Sequence, residues 1–213
     1  MTAEETWRLF VAVHPPADAL AELAAVVDGV RDATPPGLRW SPPELWHVTV
    51  AFLGAVPVAA LAAVEAELAH VARRHAPAHV RIAGAGRFGD RVLWAALHDA
   101  DADGGRAGLR ALRALAGATV RRIGKAGIPV DAGAFKAHLT LARSRGGADL
   151  HPVIARLRDF SGRPWTAGEL TLVRSRLGAG PEGRPAYETV GAWPIGPDGP
   201  LPHQYGPVEP GDG

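Results

Sequence analysis

Apolar and polar positions along this chain fall into two rhythms, one of period two and one of period three to four. Trp7 to Val13 (WRLFVAV) is short, apolar and aromatic, and predicts a buried strand. Ala17 to Val30 places Leu20, Leu23, Val27 and Val30 at helical spacing with Asp18 in the first turn, and predicts a helix. Leu38 to Trp40 is a short extended piece between the Pro35-Pro36-Gly37 and Pro42-Pro43 breaks. Trp46 to Leu53 alternates and is rich in β-branched and aromatic residues, so it reads as a strand. Val58 to Arg74 lines up Leu61, Val64, Leu68 and Val71 on one helical face. Val80 to Ala85 and Val92 to His98 predict two strands joined by a Gly-rich hairpin turn. Gly108 to Lys125 predicts a third helix, Ala137 to Ala142 a strand, and Leu150 to Phe160 a short helix with Pro152 in its first turn. Glu169 to Leu177 and Tyr187 to Trp193 predict the closing strands.

Strand, helix, strand, helix and strand pair are thus followed by helix, strand, helix and strand pair. The two halves look alike, and the hairpins favour antiparallel pairing, so the pattern predicts an α+β fold. The length of 213 residues suits one domain, or one domain of two small lobes. Pro194 to Gly213 holds six Pro and five Gly. The expected division is a folded body over 1–195 and a flexible tail over 196–213.

Composition narrows the chemistry. Twenty-three Lys and Arg against 22 Asp and Glu leave a net charge of +1, which argues against a broad nucleic-acid coat but permits a local cluster that grips a phosphate. No Cys is present, so disulfides, thiolate metal sites and a Cys nucleophile are excluded. The N-terminus is acidic before its apolar run and does not read as a signal peptide, and no stretch approaches the length of a membrane span. A cytoplasmic, monomeric protein is the expectation.

Two segments share one pattern. His47-Val48-Thr49-Val50 and His138-Leu139-Thr140-Leu141 are both His-x-Thr-x with apolar x, one in each half. On a strand, His and Thr project together while the apolar residues face the core. Nine His and nine Thr in 213 residues give about 0.4 His-x-Thr triplets by chance, and two with apolar residues at both x positions arise in fewer than about 1% of such chains. The bland alternative is two unrelated half-buried histidines, each satisfied by its hydroxyl neighbour. The chemical reading pairs them. One neutral imidazole takes a proton from water and one imidazolium gives a proton to a leaving oxygen. The Thr hydroxyls bond phosphate oxygens between them. That set suits metal-free phosphodiester cleavage, because no third ligand stands at a metal-binding spacing.

The chain resembles the 2H phosphoesterase superfamily through its HVTV and HLTL pair. More narrowly, it resembles the RNA 2′,3′-cyclic phosphodiesterases, the 2′–5′ RNA ligase-like enzymes. The stretches that carry this are RLFVAV from Arg8, LRWSPPELWHVTVAFLG from Leu38, RVLWAAL from Arg91, FKAHLTLAR from Phe135 and LTLVRSRLGAGPEGRPAYETVGAWPI from Leu170. Together they cover about residues 7–195. The departures are Trp46 before the first motif and an insertion-like GAGPEGRPA, and neither touches the paired motifs. The resemblance implies a bilobal fold of two antiparallel sheets about a pseudo-twofold, with flanking helices, a cleft between the lobes and one His-Thr strand from each. It implies hydrolysis of the 2′,3′-cyclic phosphate at RNA 3′ ends, or on nucleotides, to a 2′-phosphate without cofactor or metal. It also implies reversible 2′–5′ ligation. It makes His47 the general acid and His138 the general base, an order the residues alone leave open, with Thr49 and Thr140 on the phosphate.

Other residues offer themselves less sharply. Arg143 stands five residues after His138 and needs a bend to face the same cleft; there it would contact phosphate. Phe10, Trp40 and Trp94 could stack on a base or simply pack the core. Arg39 could line the cleft mouth. Gly84 to Gly89 spells Gly-x-Gly-x-x-Gly, but a strand follows rather than a helix, so it reads as a hairpin turn and not a dinucleotide site. His70, His75 and His79 cluster near a helix end and suit its dipole, while His14, His98, His151 and His203 show no partner pattern. Arg106, Arg110, Arg113, Arg121 and Arg122 make the third helix basic, a solvated face by default or a hold for an RNA tail. Three rival functions stay open: hydrolysis of a small cyclic nucleotide such as ADP-ribose 1″,2″-cyclic phosphate, a non-catalytic module that binds RNA ends, and a metal-dependent phosphatase.

Overall fold

The structure is a computed structural model, and it describes residues 5–100, 106–130 and 133–197. The expected tail from residue 198 onward and His203 lie outside the described residues. Nine strands and four α-helices form the fold among them. The strands are β1 (Thr6–Val13), β2 (Leu38–Trp40), β3 (Val48–Pro57), β4 (Ala78–Phe88), β5 (Val92–Asp99), β6 (His138–Ser144), β7 (Ser161–Ala167), β8 (Glu169–Arg176) and β9 (Ala186–Pro194). The helices are α1 (Ala17–Asp28), α2 (Leu61–Arg73), α3 (Ala107–Lys125) and α4 (His151–Leu157).

Every strand pairing among the described residues is antiparallel, and the order is β7-β4-β5-β6-β3-β1-β8-β9 with β2 also on β6. β6 and β3 meet at a single pair, Val48 with Leu139. Outward from that joint the order reads β3-β1-β8-β9 on one side and β6-β5-β4-β7 on the other. Within one nine-stranded sheet these are two antiparallel halves, one to each lobe, whose strand orders match outward from the joint.

The lobes are not the two halves of the chain. The β4–β5 hairpin of the first half joins β6 and β7 of the second, and the closing pair β8–β9 returns to β1. Strand pairing is non-local, so a pattern read along the chain shows which segments are strands and not which ones meet.

The elements follow their apolar periods. Five consecutive residues of β1, Leu9 to Val13, are buried because the strand lies between β3 and β8 with both faces covered. α3 buries Leu112, Leu115 and Ile123 on one stripe and packs against α2, β3, β4 and β5. Val48 and Leu139 belong to the same core cluster as that stripe.

β7 is a strand that the sequence pattern does not assign. Ser161 to Ala167 is polar and holds a Pro, yet it pairs with β4 alone, so Pro164 sits on an edge strand where a missing N–H costs no ladder bond. The expected helix over Leu150 to Phe160 accordingly stops at Leu157. The Gly-x-Gly-x-x-Gly string lies in β4 and its tight turn to β5, with no helix after it, as expected. No helix among the described residues is long and apolar enough to cross a membrane.

Gly108 lets α3 reach the sheet. A Cβ there would stand 2.0 Å from the His79 carbonyl oxygen, closer than any atoms can pack. Gly108→Ala is expected to cost about 1–3 kcal/mol, read as a lowered midpoint in chemical denaturation. A wild-type midpoint would contradict the close approach.

Candidate active site at the joint

The single β3–β6 pair dictates where the motif side chains go. Val48 and Leu139 are fully buried, so their neighbours along each strand face the other side of the sheet. The register sets His47 opposite Thr140 and Thr49 opposite His138. Antiparallel geometry then puts the two histidines on a diagonal, about 7–8 Å apart at their backbones. All four side chains line one cleft of about 570 Å³.

Both imidazoles are held in the same way. His47 Nδ1 donates to the Leu45 carbonyl at 2.8 Å, and His138 Nδ1 donates to the Lys136 carbonyl at 2.7 Å. A carbonyl only accepts, so Nδ1 carries the hydrogen in each ring. Nε2 is therefore the atom that gains or loses a proton. The two environments differ in degree. Burial pushes His47 down to about 4, with the Leu45 carbonyl opposing and nearby His14, His138 and Arg143 adding to the fall. Burial also lowers His138, against the pull of the Lys136 carbonyl and with Lys136 and Arg143 assisting.

The shared motif is longer than four residues. His47-Val48-Thr49-Val50-Ala51-Phe52 aligns with His138-Leu139-Thr140-Leu141-Ala142-Arg143. In each copy the fourth and fifth residues are both buried, which breaks the alternation. The ladder shows why. Between β1 and β3 the register skips Val50, and between β5 and β6 it skips Leu141. Each is a one-residue bulge, which turns the sixth residue back to the cleft face. That is the bend Arg143 needs, and Arg143 lines the cleft. Its counterpart Phe52 lines it too, 49% exposed.

Phe10 and Trp94 lie beneath the imidazoles rather than open to the cleft. Phe10 is 3% exposed and stacks on His47 at 4.7 Å. Trp94 is 7% exposed, with its ring 6.2 Å from His138 and the Lys136 ammonium 3.9 Å above it. The exposed rings are ones that sequence reasoning missed. Tyr187 meets His47 edge-on at 5.4 Å, and Phe88 meets His138 edge-on at 5.0 Å. Only the return of β9 beside β8 brings Tyr187 to this cleft, so no local pattern marks it. Phe52 had a signal in the sixth motif position. Trp40 and Arg39 both line the cleft, together with Arg145 and Arg184.

His14 has a partner after all. The β1–β3 register places it opposite His47, and the two rings stand 6.0 Å apart. Thr171 donates its hydroxyl hydrogen to the Ala12 carbonyl and accepts from His14 Nε2 at 3.1 Å. Of the remaining histidines, His75 donates to the Val71 carbonyl at the end of α2, in keeping with a helix-end role, while His79 lies on β4 and bonds Thr166. Among the described residues no three His, Asp or Glu side chains form a group suited to a metal ion.

Comparison with known proteins bears on this constellation. The model of the 2′-5′ RNA ligase superfamily matches residues 10–179, a span that contains both motifs. The chain belongs to this superfamily. Within it, an RNA 2′,3′-cyclic phosphodiesterase of Thermus thermophilus is 34% identical, over 80% of this chain and 82% of that protein. One of Geobacillus stearothermophilus is 30% identical over 80% of this chain. This chain spans about half the length of the Geobacillus relative, 52%. A crystal structure of a Thermus thermophilus protein superposes with a TM-score of 0.65 at 31% identity, covering 88% of this chain and 97% of that one. E. coli LigT, solved with 3′-AMP, shares the fold at a TM-score of 0.66 and 22% identity, covering 90% and 99%. The bilobal superfamily fold is thus the fold of this chain.

The lowered histidines set a pH signature. The unfolded chain takes a proton on His47 below its ordinary value of 6.5, whereas the folded chain refuses it until about 4. The unfolded state binds more protons across that window, so stability falls as pH drops from 6.5 towards 4. Denaturation midpoints against pH are expected to show this decline, and His47→Gln is expected to flatten it. An unchanged decline in that variant would contradict the burial argument.

Proposed function

We propose that the chain hydrolyses the 2′,3′-cyclic phosphate at RNA 3′ ends to a 2′-phosphomonoester by acid–base catalysis between His47 and His138. The observation that carries this is the matched pair of imidazoles across one strand joint, each with Nδ1 fixed on a carbonyl and Nε2 left to exchange a proton. The relatives named as RNA 2′,3′-cyclic phosphodiesterases support the substrate class.

The phosphate sits between the imidazoles, its free oxygens bonded by Thr49 and Thr140 and its charge met by Arg143. His138 takes a proton from water as the water oxygen bonds phosphorus. The P–O3′ bond breaks, and His47 gives its proton to O3′. The products are a 2′-phosphate and a free 3′-hydroxyl. Run with the 5′-hydroxyl of a second RNA end, the same groups make and break a 2′–5′ bond. Phe52, Phe88 and Tyr187 offer exposed faces to the terminal base. The domain is proposed to end at residue 195.

One observation favours the opposite division of labour. Burial lowers His47 further than His138, so in the ligand-free cleft His138 keeps a proton more readily. An anion between the rings raises both, so in the first assignment His47 takes up its proton with the phosphate bound. In the second, His47 is the base and His138 the acid.

His47→Ala and His138→Ala are each expected to lower kcat/KM on 2′,3′-cyclic AMP by about 10²–10⁴-fold, with 2′-AMP as the wild-type product by phosphorus NMR. Undiminished hydrolysis in either variant would overturn the mechanism. A substrate with sulfur in place of O3′ needs no acid, so it rescues only the variant that lacks the acid: His47→Ala in the first assignment, His138→Ala in the second. Turnover of ADP-ribose 1″,2″-cyclic phosphate with none of the RNA end would move the reading to a small nucleotide. Tight RNA-end binding with no turnover would make the chain a binding module.

A further inference from the structure

We infer that a second space beside the joint, floored by α3, holds the sugar-phosphate chain of the RNA whose cyclic end lies between the histidines. This rests on the cyclic-phosphate reading above and goes beyond it, because a terminal nucleotide needs only the cleft.

The space exists because the two lobes touch at so few residues. On one side of the Val48–Leu139 pair, β2 fills the edge of β6 through Arg39 and Trp40. On the other side β3 and the residues before β6 part. A crevice of about 900 Å³ opens there, and α3 forms its floor. It shares Thr49, Phe52, Phe88 and His138 with the cleft, so the two spaces are continuous past the reacting groups.

Its chemistry is that of a single-stranded nucleic-acid groove. Arg113, Arg121 and Lys136 line it, and among the described residues no carboxylate does. Arg113 and Arg121 stand eight residues apart on one helical face, about 12 Å along the axis. Both are exposed, and neither has an acidic partner among the described residues. Other arginines of the fold are spoken for: Arg122 by Glu67, Arg156 by Asp32, and Arg163 by Asp18 and Glu22. Gly117 lies between the two, and Arg121 Nη1 passes within 3.1 Å of where a Cβ on Gly117 would stand. The missing side chain thus leaves the guanidinium room to lie back along the crevice floor.

Phe52 and Phe88 present rings 49% and 40% exposed where crevice and cleft join. Cations that follow a backbone, beside flat rings that accept any base, are how single strands are held without regard to sequence. With a net charge of only +1, the chain gathers this unpaired positive charge locally.

The test pairs two substrates with one double variant, Arg113→Glu/Arg121→Glu. Its hydrolysis of 2′,3′-cyclic AMP is expected to match wild type, which also reports an intact fold. Its kcat/KM on a short single-stranded RNA with a cyclic end is expected to fall about tenfold or more at low salt. Two lost phosphate contacts remove about 1.4 from the salt slope, or about sevenfold between roughly 50 and 200 mM. Arg113→Gln/Arg121→Gln is expected to show the same pattern with a smaller loss. Equal effects on both substrates, or a wild-type salt slope in the double variant, would overturn the inference. Anisotropy of labelled RNA on wild type and variant reads the crevice independently of turnover. If wild type hydrolysed neither substrate, the catalytic reading would fall, and equal RNA binding by the two proteins would sink the crevice separately.

Discussion

One residue pair governs the site. Val48 and Leu139 form the sole ladder contact between β3 and β6 among the described residues, and both are buried in the common core. Strand alternation does the rest. With those two residues inward, His47, Thr49, His138 and Thr140 face outward together, and antiparallel register sets each histidine opposite the other strand's threonine. A slip of one residue would send one motif into the core. The same thin joint leaves the lobes parted on one side, which opens the crevice above α3.

The two motifs share a backbone course and differ in side chains. Both carry a bulge at the fourth position and a buried Ala at the fifth. The sixth is aromatic in one lobe, Phe52, and cationic in the other, Arg143. The surroundings of the histidines differ as well. His47 is stacked on Phe10 and flanked by His14, while His138 lies near Trp94 under the charge of Lys136. Two equivalent imidazoles would share a proton evenly, whereas unequal burial separates their affinities, which is what the proposed donor and acceptor roles require.

The reach of the sequence follows the range of the interactions. The paired His-Thr strands are legible because a period of two is local, and the helices are legible because a stripe is local. Arg143 stays in doubt from sequence because a bulge is a relation between two strands, and its neighbours Leu141 and Ala142 give no local sign of it. β7 is hidden because Pro164 and Arg163 look like loop until β4 supplies a partner. His14 and Tyr187 reach the site only through pairings with strands far along the chain. For the same reason the lobes interleave the two halves of the sequence instead of dividing them.

The claim beneath all of this is that His47 and His138 act on one phosphate at once. The most direct measurement is an NMR titration of both imidazoles with the product 2′-AMP. If they flank a common anion, both Nε2 signals move over the same ligand range and both groups bind protons more tightly in the complex. A response from one ring alone, or from neither while 2′-AMP still binds, would contradict it.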